Sequence, residues 1–267
     1  MTAIAVTIAG SDSGGGAGIQ ADLKSFSANG VYGASVLTAL TAQNTLGVTG
    51  IQDVPPDFIR AQMDAVFSDL AVKATKIGML SRPEVIQTVV DCLAAHQTGP
   101  IVVDPVMVAA SGDPLLADEA VDVLMERLVP VADLITPNLH EVARMLRSSM
   151  AETEADMASQ AERLLAAGAK AVLVKGGHGT GSESADLLMS EDVTQWFRAP
   201  RIETSNTHGT GCTLSSAIAA GFAKGLGLVE ALAQAKAYVS AAISSADQLN
   251  IGAGHGPVHH LHAFWRS

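Results

Sequence analysis

Short apolar runs recur along nearly the whole chain, each ending on a polar or glycine-rich turn and each followed by a segment with helical spacing. The runs cover residues 3–9, 34–40, 76–80, 100–103, 133–136 and 171–174. A run of this length without polar alternation reads as a strand buried on both faces. The segments between them, at 19–28, 56–70, 83–95, 117–128, 138–146 and 156–167, read as helices, several opened by proline or closed by Asn-Gly or Gly. Another long Ala-rich helix is expected over 229–247. Strand, helix and parallel strand joined by right-handed crossovers leave few topologies. The expected fold is α/β, a three-layer αβα sandwich whose central, mostly parallel sheet carries helices on both faces. Only residues 186–189 and 194–199 read as an antiparallel pair. No linker, repeat or low-complexity tract divides residues 1–267, which are expected to form a single domain.

Composition narrows the function. A chain with 48% hydrophobic and 16% charged residues is globular, and a net charge of −11 argues against general affinity for nucleic acid or anionic membranes. It does not exclude a phosphate ligand, which local backbone dipoles can hold on an acidic protein. Cys92 and Cys212 give neither a disulfide framework nor metal spacing, which suits a reducing cytoplasm. The apolar start lacks a basic flank and reads as a strand, and no run reaches the length of a membrane span.

In open parallel sheets, ligands bind outside the carboxyl ends of the strands, so the polar residues there carry the functional signal. The first loop, 10–18, holds five glycines. It fits no dinucleotide fingerprint, since Ile19 stands where a third glycine is needed, and the chain has no Walker A loop. Gln43 follows the second strand, where its amide could read a heterocycle edge or bond the backbone of a turn. Asp104 ends the fourth run and precedes Pro105. Asn138 and Glu141 share a helix face and fit either a capping box or a site. Lys175 enters a glycine-rich loop, 176–179, at a strand end, in reach of a phosphate.

The stretch 206–216 adds Gly209-Thr210-Gly211-Cys212 at a helix start. Amides without carbonyl partners and the positive end of the helix dipole make this an anion site, and the same field favours a thiolate at Cys212. An ordinary Thr- or Ser-capped helix with a small buried cysteine is the other reading. Carboxylates, a lysine and an anion cradle along one edge fit phosphoryl transfer, which needs positioning and charge neutralisation. A His208–Cys212 hydrolase would leave Asn138 and Glu141 unexplained. The tail 254–262 is rich in histidine but, without Cys or paired acidic partners, reads as a polar surface segment.

These motifs together resemble the ribokinase-like superfamily and, within it, the hydroxymethylpyrimidine/phosphomethylpyrimidine kinases of thiamine biosynthesis. The resemblance is carried by residues 8–22, 38–45, 76–80, 103–107, 136–141, 174–178 and 206–213 and runs the length of the chain. It implies an ATP- and Mg²⁺-dependent kinase, homodimeric, acting on the hydroxymethyl group of a small pyrimidine and then on the monophosphate. It assigns Gly209, Thr210 and Gly211 to an anion hole and places Cys212 where most ribokinase-like enzymes carry an aspartate base. It makes Gln43 the reader of the aminopyrimidine, with Gly10, Asp22, Met79 and Val106 as pocket neighbours. Lys175 and Thr207 are expected on ATP phosphates, Asn138 and Glu141 on Mg²⁺ and phosphate, and Asp104 near the metal. No fused thiamine-phosphate synthase is expected. The rival readings are a pyridoxal or pyridoxine kinase, a kinase for both substrates, and a non-catalytic nucleotide- or vitamin-binding protein. Gln43 and the short chain without a lid favour the pyrimidine.

Overall fold

Strand β1 (Ile4–Asp12) shows why its apolar run does not alternate with polar residues: Val6 and Ile8 enter one buried cluster and Ala5 the other. The same division recurs in β7 (Ala171–Val174), where Val172 and Val174 face one side and Ala171 and Leu173 the other. The structure, a computed structural model, describes residues 1–108, 115–177 and 182–265. Helix α1 (Gly18–Ala28) carries the chain from β1 to its parallel neighbour β2 (Tyr32–Asn44). β3 (Gly47–Asp53) turns back antiparallel to β2. The chain then runs through α2 (Pro56–Asp69), β4 (Ala74–Ile77), α3 (Pro83–Ala95), β5 (Ile101–Val103), α4 (Asp118–Val123), β6 (Leu134–Ile135), α5 (Leu139–Met145) and α6 (Glu154–Ala166) to β7. An antiparallel pair, β8 (Glu183–Ser190) and β9 (Thr194–Pro200), precedes α7 (Thr210–Ala223) and α8 (Leu228–Ser244).

Among the described residues nine strands lie in the order β3-β2-β1-β4-β5-β6-β7-β8-β9, parallel from β2 to β7 and antiparallel at both ends. One face buries Ile59 and Met63 of α2, Val85, Ile86 and Val89 of α3, and Leu164 of α6. The other buries Phe26 of α1, Ile218 to Ala220 of α7, and Ala231, Leu232 and Ala235 of α8. This is the expected sandwich.

Its details correct the sequence reading in several places. β1 continues through Ser11 and Asp12, because both pair with β2 beyond a bulge. β2 likewise continues through Asn44, so Gln43 sits in a paired hairpin strand and not in a loop past a strand end. The strand expected over 76–80 stops at Ile77, freeing Gly78 and Met79 for the site edge. The helix expected over 117–128 is split into α4 and a π-helical turn, Leu124–Leu128. His178 and Gly179, at the end of the lysine loop, lie outside the described residues.

Candidate active site

The loop from β1 to α1 is built on Asp12, which the sequence reading passed over. Its Oδ1 accepts from Gly14 N (2.8 Å), and its Oδ2 accepts from Gly16 N (3.0 Å), Ala17 N (2.8 Å) and His208 Nε2 (2.9 Å). Burial alone would raise the carboxyl, but the bonds from His208, Ala17 and Gly14 outweigh it and hold Asp12 below the usual carboxylate range. The loop thus faces the start of α7. A Cβ on Gly16 would lie 2.4 Å from His208 Cδ2, and one on Gly209 would lie 1.9 Å from the Gly16 carbonyl oxygen. His208 belongs to this interlock and not to Cys212, so the geometry contradicts a Cys–His hydrolytic pair.

Gly209 is the N-cap of α7 with φ +81° and provides no side-chain cap. This corrects the alternative of a Thr- or Ser-capped helix. Thr210 N–H bonds Thr207 O at 3.2 Å and Thr213 N–H bonds Gly209 O at 2.9 Å. Among the described residues no acceptor takes the amides of Gly211 and Cys212, which leaves two donors at the positive end of a fourteen-residue helix. Thr207 is exposed, and its carbonyl also accepts from Thr210 Oγ1 at 2.7 Å.

Across from these amides, the ends of β5, β6 and β7 bring Asp104, Glu141 and Lys175 together. Lys175 Nζ lies 2.7 Å from Asp104 Oδ1 and 3.9 Å from Glu141 Oε2. A Cβ on Gly211 would sit 3.3 Å from both Lys175 Nζ and Asp104 Oδ2, so the anion cradle abuts the charged cluster. Burial lowers Lys175, but Asp104 and Glu141 more than restore it, leaving the ammonium above its usual range. Burial raises Glu141, and Asp104 adds to this against the opposing pull of Lys175. Asn138 and Glu141 form the full capping box of α5: Asn138 Oδ1 accepts from Glu141 N at 3.0 Å, and Glu141 Oε2 accepts from Asn138 N at 2.7 Å. The two readings of this pair are therefore not exclusive, because the cap fixes a carboxylate beside Lys175.

At the other end, a Cβ on Gly10 would lie 3.1 Å from Met79 Sδ, so these two make one wall. Val106 is half-buried in the turn after Asp104. Gln43 lies 3.5 Å from His208 Nε2 by its amide nitrogen. Asp22 is a correction: it does not line the pocket. It is fully buried and takes Lys76 Nζ (3.0 and 2.9 Å), Thr7 Oγ1 (2.6 Å) and Ser216 Oγ (2.7 Å). Sequence reasoning missed Lys76, although a lysine inside a strand bounded by Ala74 and Ile77 was the available signal.

Cys212 corrects a second expectation. The helix field was expected to favour a thiolate, yet burial pushes the thiol up to about 11, with Lys76 offsetting only part of this and Asp22 and Asp104 adding to it. No three His, Cys, Asp or Glu side chains among the described residues cluster as a complete metal site. No described helix is long and apolar enough to cross a membrane.

An α/β sheet edge with open helix amides facing a partly buried lysine and two buried carboxylates is arranged for phosphoryl transfer. The model of the phosphomethylpyrimidine kinase family matches residues 12–259. A hydroxymethylpyrimidine/phosphomethylpyrimidine kinase of Rhizobium meliloti (strain 1021) is 61% identical over 266 residues, covering 100% of both chains. The solved phosphomethylpyrimidine kinase of Clostridium difficile 630 is 43% identical, with a TM-score of 0.80 over 90% of this chain and 99% of that one. A Bacillus subtilis pyridoxal kinase solved as an ADP complex is 35% identical, with a TM-score of 0.91 over 98% and 99%. The chain belongs to the phosphomethylpyrimidine kinase family and is a phosphotransferase of ribokinase-like fold.

Proposed function

We propose that the protein uses ATP to phosphorylate 4-amino-5-hydroxymethyl-2-methylpyrimidine and then its monophosphate, in thiamine biosynthesis. The family match and the 61% identical relative support the substrate. The single structural observation that carries the reaction is the pair of open amides, Gly211 and Cys212, abutting Lys175 and Asp104.

In this reading the transferring phosphoryl group lies over the start of α7. The Gly211 and Cys212 amides neutralise charge on its oxygens, Gly209 and Thr210 shape that turn, and Lys175 and Thr207 hold ATP phosphates. Gln43 reads the aminopyrimidine edge, with Gly10, Met79 and Val106 around the ring. The residues present fit Mg²⁺: Asp104 and Glu141 are two buried carboxylates, and this ion is held by one or two carboxylates plus substrate phosphates and water. Asp104 and Glu141 would hold it, with Asn138 nearby, and bound there it would neutralise phosphate charge. A homodimer fits the exposed Leu40, Leu46 and Ile51 on the β2–β3 hairpin. A cytoplasmic location fits two free cysteines.

Offering hydroxymethylpyrimidine, its monophosphate and pyridoxal separately with Mg-ATP, and following ADP release, tests the substrate. Turnover of both pyrimidines is expected; turnover of pyridoxal alone overturns the assignment.

In this reading Cys212 takes the proton of the attacking hydroxymethyl oxygen. With the thiol near 11 the base is the minor thiolate, roughly one part in ten thousand at neutral pH. The rate then grows with pH. Log kcat of the wild type should rise steadily between about pH 7 and 9, and Cys212→Asp, ionised throughout, should flatten the profile. A flat wild-type profile removes the base role and leaves the anion hole standing.

A further inference from the structure

Gln43 is one link in a chain of polar groups whose donors and acceptors can be counted. Its Oε1 lies 2.9 Å from Thr41 Oγ1, and its Nε2 lies 3.5 Å from His208 Nε2. Thr41 Oγ1 also lies 3.0 Å from the Ser11 carbonyl oxygen, which only accepts. His208 Nε2 is 2.9 Å from Asp12 Oδ2. Asp12 is ionised, being held low by the loop amides and His208 itself, so the proton on His208 Nε2 is given to Asp12.

The proton count decides how the amide faces. With Oε1 toward Thr41, one hydroxyl proton is claimed by both Ser11 O and Gln43 Oε1, while the Gln43 NH₂ confronts the His208 N–H. Half a turn about χ3, open because the two ends of an amide occupy nearly the same space, leaves the hydroxyl proton to Ser11 O alone and replaces the meeting of two donors by a donor facing an acceptor. Thr41 Oγ1 then gives its proton to Ser11 O and accepts from Gln43 Nε2, while Gln43 Oε1 takes the weaker share, at 3.5 Å, of the His208 N–H whose main acceptor is Asp12 Oδ2 at 2.9 Å.

We propose that Thr41 and His208 are positioning residues that lock the Gln43 amide with Nε2 toward Thr41 and Oε1 toward His208, and that this lock sets which way round the pyrimidine binds. The ring edge carries, in order, the acceptor N3, the donor 4-amino group and the 5-hydroxymethyl group. The locked amide pairs Nε2–H with N3 and Oε1 with the 4-amino group. The amino group then lies on the His208 side, and the hydroxymethyl group beside it points on toward Gly209 and the open amides of α7. A reversed amide pairs with a reversed edge and carries the hydroxymethyl group away from the anion cradle. Asp12 thus acts on the substrate through His208 while holding the glycine loop in register with α7. The inference rests on the proposed role of Gln43.

The test compares kcat/KM for 4-amino-5-hydroxymethyl-2-methylpyrimidine with that for its 4-oxo analogue, which presents N3–H as donor and the 4-oxygen as acceptor. The oxo edge matches only the reversed amide. The wild type is expected to prefer the amino substrate strongly. Thr41→Val removes the acceptor that holds Nε2, and the amino/oxo ratio should fall roughly fivefold to tenfold, the worth of one neutral hydrogen bond. Thr41→Ser should restore the ratio, and Thr41→Ala reads the same quantity should valine disturb the hairpin. A general packing defect lowers both substrates together and leaves the ratio unchanged; an unchanged ratio in the valine and alanine variants overturns the lock. A wild type that turns over neither pyrimidine overturns the role of Gln43, and the lock with it.

Discussion

Gly209→Ala should lose kcat by roughly 10²–10³-fold, the loss typical when a donor of an oxyanion-type site is displaced. Two effects act at this position, and they can be separated. Gly209 has φ +81°, and a side chain in the left-handed region costs about 1–2 kcal/mol. A Cβ there would also sit 1.9 Å from the Gly16 carbonyl oxygen, and backbone cannot swing aside as a flexible side-chain tip can. The start of α7 and the glycine loop must therefore part. That shift moves the Gly211 and Cys212 amides relative to Lys175 and Asp104. Gly30 provides the control: its φ is +74° and nothing lies within 4 Å of the Cβ position. It sits between α1 and β2, at the end of the sheet opposite the site. Gly30→Ala should lose stability in thermal unfolding through the same strain and keep wild-type kcat. If folded Gly209→Ala also kept kcat within about threefold, α7 would not be the anion cradle.

What the sequence made legible follows from which interactions are local. Strands β1, β5 and β7 read clearly because burial on both faces demands an unbroken apolar run, whereas β4 was placed two residues late because Thr75 and Lys76 interrupt it; α2, α3 and α6 read clearly because proline, capping and spacing mark them. Edge strand β3 left no such mark: most of Gly47–Asp53 is exposed, so neither periodicity nor an apolar run was required. The end of β2 was lost with it, since its extension depends on that partner. Among site residues, Asp104, Glu141 and Lys175 were readable as strand-end charges, and their 2.7 and 3.9 Å approach follows from the order β5-β6-β7. Asp12 and His208 were not paired in advance because 196 positions separate them and each looks like an ordinary loop residue. The Cys212 thiol was misjudged because the helix field is local and legible, whereas the burial that outweighs it comes from neighbours distant in sequence.

Lys76→Met should destabilise the fold by about 3–5 kcal/mol, because it strands a carboxylate that nothing else neutralises. Lys76 and Asp22 both have 0% side-chain exposure and meet at 2.9 Å. The two oxygens of Asp22 also receive Thr7 and Ser216, so one carboxylate ties β1, β4, α1 and α7 together. The ammonium loses hydration by burial, yet Asp22 first, with Cys212 and Asp104 beyond, drives Lys76 above the ordinary lysine range, so it stays charged throughout the working pH range. Gly78 is part of the arrangement, since a Cβ there would lie 2.7 Å from Lys76 Nζ. For a domain of this size the loss corresponds to a fall in Tm of roughly 6–20 °C. The double variant Lys76→Met with Asp22→Asn removes the stranded charge and keeps an oxygen for one hydroxyl, so it should be more stable than Lys76→Met alone. That sign distinguishes a buried ion pair from simple loss of lysine packing, for which the second substitution could only add damage. Ser216 lies four residues beyond Cys212, one turn along the same face of α7. Asp22 therefore seats the helix that presents the open amides, and kcat of the double variant, measured where it is fully folded, should fall as the Ser216 contact loosens. A double variant less stable than Lys76→Met would show that the pair is not held together by its charges.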